Sequence, residues 1–90
     1  MADYTITLTD ADAPELDGDQ NKKVAWKNSS GSEIVLTPPT CVSPETVTTI
    51  ANGDTSRDFQ ITGQKGTTYE YSFTVGAELG TRNGSIKVNT

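Results

Sequence analysis

The 90-residue chain predicts an all-β fold, a small seven-stranded Greek-key β-sandwich. Three observations point there. Apolar and polar residues alternate with a period of two in at least four segments, the spacing of strands with one face in a core. Ser and Thr together make up about a quarter of the chain, which suits strands with hydroxyl-bearing solvent faces better than helices. Gly, Pro and Asn interrupt the chain at short intervals, so few segments could sustain a helix.

Taken in order, "YTITLT" (4–9) alternates Tyr4, Ile6 and Leu8 with Thr5, Thr7 and Thr9 and reads as the first strand. "DADAPELDGDQN" (10–21) is polar, carries Pro14 and Gly18, and reads as a loop. "KKVAWKN" places Val24 and Trp26 on one side, "NSSG" supplies turn residues at Asn28 and Gly31, and "SEIVLT" resumes an extended run. These two strands are expected to pair as a hairpin. Pro38 and Pro39 end the second, since neither can donate a ladder hydrogen bond, and residues 40–45 read as irregular. "TVTTI" is a short strand closed by the Asn52-Gly53 turn signal, after which "TSRDFQI" puts Phe59 and Ile61 on one face. The clearest alternation is "TTYEYSFTV": Tyr69, Tyr71, Phe73 and Val75 face one way, as befits a central strand. "SIKVN" ends the set with Ile86 and Val88 inward. Trp26, Phe59, Tyr71, Phe73 and Ile86 form the expected inward set, with Trp26 against Phe73 and Tyr71.

A chain of this length predicts one domain spanning 1–90, because either half would bury too little surface to be stable. The net charge of -5 is concentrated at one end. Residues 1–20 contain six acidic and no basic side chains, whereas residues 21–90 contain six acidic and seven basic ones. No cationic footprint for nucleic acid results. No run of 18 apolar residues is present, so no transmembrane segment is expected. The chain shows no leader peptide, and its composition fixes no compartment; removal of a leader would suit an extracellular, periplasmic or surface-associated protein.

Sites of chemistry are sparse. With no histidine, the usual serine-hydrolase constellation is excluded, and "GQKG" lacks the Lys-Ser/Thr ending of a phosphate loop. The carboxylate pairs Glu70–Glu78 and Asp54–Asp58 carry no sign of a cleft and read as surface charge. Asp10, Asp12, Asp17 and Asp19, with Glu15 and Gly18, supply hard oxygen ligands of the kind calcium takes, but their spacing is not that of an EF-hand; a solvated acidic loop is the competing reading. Cys41 has no second cysteine and no neighbouring base, which favours an ordinary thiol over a reactive or bridging one. "NSS" (28–30) and "NGS" (83–85) match the N-glycosylation acceptor pattern in expected turns.

"VAWKNSSGSEIVL" (24–36) resembles the strand, Asn turn and strand of the cupredoxin family, and "YEYSFTVGAELGTRNGSIKV" (69–88) resembles that family's C-terminal hairpin. The resemblance implies a cupredoxin-like sandwich. It also implies where copper ligands would stand: the first histidine at Ser32 or Glu33, the cysteine at Val75, the second histidine at Glu78, and the methionine at Asn83 or Arg82. Type-1 copper needs imidazoles and a thiolate. None stands at these positions, so the resemblance implies a copper-free relative with no electron transfer and no cofactor. An immunoglobulin-like or fibronectin-like sandwich is the alternative fold.

The expected function is therefore that of a non-enzymatic structural or protein-binding module that offers loops or a strand edge to another chain. The alternative is a calcium-binding module using residues 10–19. An uncapped edge strand would favour the first.

Overall fold

The computed structural model describes residues 2–76 and 81–89 as two facing β-sheets built from nine strands. These are β1 (Tyr4–Leu8), β2 (Glu15–Asp19), β3 (Lys23–Asn28), β4 (Ile34–Thr37), β5 (Val42–Ser43), β6 (Thr48–Ile50), β7 (Phe59–Ile61), β8 (Thr68–Val75) and β9 (Arg82–Asn89). One sheet has the order β1-β3-β7-β5 and the other β2-β9-β8-β4-β6. The described residues include no helix, hence none long and apolar enough to cross a membrane.

Alternation sets the inward faces. Ile6 and Leu8, Val24 and Trp26, and Phe59 and Ile61 come from the first sheet; Ile34 and Leu36, Tyr71, Phe73 and Val75, and Ile86 and Val88 come from the second. All are buried in one cluster. Strand β8 lies at the centre of the five-stranded sheet, as its four large inward groups require. Trp26 sits edge-on to Phe59 (centroids 5.2 Å apart) and Tyr71 (5.4 Å), in the T-shaped geometry that aromatic quadrupoles favour. Phe73 lies in the same core cluster, its ring 6.5 Å from that of Tyr71.

Several expectations require correction. The strands flanking "NSSG" do not form a hairpin: β3 and β4 belong to opposite sheets, and β4 pairs with β8 and β6. The chain crosses at 29–33 from one sheet to the other, so each strand buries its alternate side chains in the shared core from its own side. Residues 10–21 are not all loop, since β2 runs parallel to β9 from Glu15↔Ser85 to Asp19↔Asn89. The strand escapes periodicity because only Leu16 and Gly18 face inward, and Gly18 adds no side chain to the pattern; a Cβ there would stand 2.7 Å from Ile61 Cδ1 and oblige that methyl to shift. Residues 42–43, read as irregular, pair with β7. Strand β9 begins at Arg82, not Ser85. Opposite Tyr71 it carries Gly84, where any Cβ would collide with the tyrosine ring laid over it.

Candidate functional site

The positions matched to the first histidine and the cysteine do converge. Ile34 pairs with Val75, the Gly76 N–H donates to the Glu33 carbonyl (2.7 Å), and a Cβ on Gly76 would lie 3.1 Å from Ser32 Cβ. Gly76 has φ +56°, left-handed backbone that glycine adopts without strain. What meets there is unsuited to a soft metal. Ser32 and Glu33 are exposed oxygen groups, while Val75 is buried hydrocarbon that continues the core to the end of β8. Glu78 lies outside the described residues. Asn83 and Arg82 are in strand β9, opposite Ser72 and Phe73, and are held by the 10–13 segment: Arg82 Nε donates to the Asp10 carbonyl (2.8 Å) and the Asn83 N–H to Asp12 Oδ1 (2.9 Å).

That clasp also explains the acidic segment. Asp10 and Asp12 flank the start of β9, whereas Asp17 and Asp19 stand on the outward face of β2, at alternate positions about 7 Å apart along a strand. Asp17 is opposite Lys87. The structure does not bring the four together, and among the described residues no group of three or more His, Cys, Asp or Glu is arranged to hold a metal.

Asn28, read from sequence as a turn residue and glycosylation acceptor, is fully buried and bonded at every polar site. Its Nδ2 donates to the carbonyls of Ser32 (2.6 Å) and Ile50 (2.9 Å), and its Oδ1 accepts from the Ser30 N–H (3.0 Å) and hydroxyl (2.7 Å). Its backbone joins the 51–54 turn through Asp54 and Gly53. An amide so engaged cannot accept a glycan in the folded state. No sequence signal separates this buried asparagine from an ordinary turn asparagine.

Cys41 is buried beside Gly63, where a Cβ would stand 2.6 Å from its own Cβ. Burial pushes its thiol pKa up from 9.0 to about 11. Burial likewise raises the Tyr71 hydroxyl, against a smaller lowering by the adjacent Trp26. In both groups the folded pKa exceeds the unfolded one, so the native state holds its proton longer. Their contribution to stability is then constant below pH 9.0 and is lost as pH rises toward about 11. Urea midpoints measured across that window should decline, and Cys41→Ala should decline less steeply. Alkylation of Cys41 in native protein near neutral pH should be negligible until the fold opens.

Among the described residues, the sheet margins and a depression are further features. Strands β1 and β5 edge the four-stranded sheet; β2 and β6 edge the other. Strand β2 is lined outward by Glu15, Asp17 and Asp19, β6 has three residues, and β5 has two followed by Pro44. Strand β1 is five residues long, free of charge, Gly and Pro. The depression, about 380 Å³, lies on the outward face of the larger sheet among Thr37, Thr40, Glu45, Glu70, Ser72 and Asn83. Its lining sets hydroxyls beside the carboxylates of Glu45 and Glu70.

No protein-family model matches the chain, and no curated protein matches it by sequence. Its three-dimensional form is similar to amicyanin. A copper(I) form of one amicyanin variant superposes with TM-score 0.63 at 15% identity, over 94% of this chain and 80% of that one. A second copper(I) variant gives 0.59 at 17% identity, over 99% and 86%. At such identities the likeness concerns the fold and leaves copper to amicyanin. The chain has a cupredoxin-like β-sandwich fold, in a sequence with no histidine and with hydroxyl, carboxylate or hydrocarbon groups where two of the copper ligands would meet.

Proposed function

We infer that this is a non-enzymatic module that binds another polypeptide along the open margin of strand β1. The observation that carries the reading is the character of that margin. Edge strands in folded proteins are commonly blunted by charge, proline or shortness. Here β2, β5 and β6 each have such a device, and β1 has none. An added strand would find backbone donors and acceptors at β1, with Thr5 and Thr7 exposed beside them. A single sandwich domain over 1–90 that presents this margin is sufficient for such a role.

Affinity capture from the source lysate tests the reading, with wild-type chain beside Thr7→Pro. A stoichiometric protein retained by wild type and lost with the variant is expected. Retention unaffected by changes to β1 would reject the margin as the site. A tight calcium signal in calorimetry, lost on replacing Asp10, Asp12, Asp17 or Asp19, would move the function to the acidic segment.

A copper titration gives an independent check on the vacated ligand positions. With no imidazole in the chain and Cys41 buried, no intense blue thiolate absorption band should develop.

A further inference from the structure

We propose that the occupant of the β1 margin is the same margin of a second copy, joined antiparallel about a two-fold axis at Ile6. The proposal rests on the reading of β1 as a docking edge and names its partner.

Backbone geometry supplies the argument. Strand β1 runs parallel to β3 with Leu8 opposite Asn28, and the Ser29 N–H donates to the Leu8 carbonyl (2.8 Å). In an extended chain the N–H and C=O of one residue point to the same side and successive residues alternate. Tyr4, Ile6 and Leu8 therefore bond toward β3, and Thr5 and Thr7 direct their N–H and C=O groups away from the sheet. Among the described residues β1 has no other strand neighbour.

An antiparallel mate centred on Ile6 sets Thr5 of each copy against Thr7 of the other. Those are the residues with outward groups, so both pairs can exchange hydrogen bonds, four in all. The exposed side chains meet as threonine against threonine, a favourable cross-strand pair. Tyr4 falls opposite Leu8, and both inward faces stay continuous. Beyond the strand, Asp3 meets Thr9 and Asp10 meets Ala2, so no carboxylate faces another despite the net charge of -5. The same operation on β2 would oppose Asp17 to Asp17 and Glu15 to Asp19, like charges that destabilise a pair. A two-fold, self-complementary contact is also the common way for identical chains to associate.

Sedimentation equilibrium of the full chain, from micromolar to millimolar concentration, reads the association directly. A reversible monomer–dimer equilibrium is expected, with slower amide hydrogen exchange at Thr5 and Thr7 as concentration rises. Thr7→Pro removes an outward donor from each copy but none from the β3 ladder, and should weaken the dimer about ten-fold or more. The double change Thr5→Lys with Thr7→Lys opposes lysine to lysine and should abolish it. Unchanged near-ultraviolet circular dichroism from Trp26 shows that each variant stays folded. A chain that remains monomeric at millimolar concentration overturns self-pairing, as does a dimer indifferent to both variants. If the chain is monomeric yet captures a different protein in a Thr7→Pro-sensitive way, self-pairing fails while β1 stands as the docking edge.

Discussion

Replacing Trp26 by Ala should cost about 3–5 kcal/mol of folding stability, because truncating a large buried aromatic leaves a cavity that its neighbours only partly fill. Trp26 is fully buried at the junction of both sheets, edge-on to Phe59 of β7 and Tyr71 of β8. The hydrophobic content is only 32%, so few other large groups could close the gap. The buried indole N–H makes no well-formed hydrogen bond, and the Tyr71 hydroxyl beside it offers at most a weak one. Trp26→Phe therefore loses ring area and at most a weak contact with the Tyr71 hydroxyl, and should cost much less than Trp26→Ala. Urea unfolding of the three proteins side by side gives the comparison. A change within about 0.5 kcal/mol for the alanine variant, the range of ordinary surface substitutions, would refute this account of the core.

The second large effect is expected at Asn28. Asn28→Ala removes the amide donor from the buried Ile50 carbonyl, while the Ser32 carbonyl keeps the Ser30 hydroxyl (2.9 Å). An unsatisfied buried acceptor costs more than its hydrogen bond contributed, and the loss should be about 1–3 kcal/mol. Asn28→Asp is the sharper probe: a carboxylate keeps the acceptor that Ser30 uses but cannot donate to either carbonyl. It should destabilise at least as much at neutral pH and recover part of the loss on acidification, when the protonated acid regains one donor. Equal stability of Asn28→Asp and wild type at neutral pH would show that the two carbonyls do not depend on the amide.

The two expectations differ in how they could be reached. Trp26 follows from alternation alone, since Val24 and Trp26 share the inward side of a strand wherever that strand lies. Asn28 does not. In "KNSSG" it has the form of any turn residue, and its importance comes from Ile50 and Asp54, brought to it across 22 or more positions.

The same division runs through the whole molecule. The sequence by itself determined the all-β class, the inward residues of β1, β3, β7, β8 and β9, the central place of β8, and the lack of imidazole for a copper centre. These are properties of local spacing and composition, and they hold before any strand finds a partner. Tertiary structure alone decided that β3 and β4 separate into opposite sheets, that "ELDGD" becomes a strand along β9, and that Val42–Ser43 pair with β7. It also decided which strands are edges, and so left β1 open. Pairing is made by backbone groups that every residue carries, so side-chain pattern cannot name the partner; only the closing of both sheets over one shared core selects it.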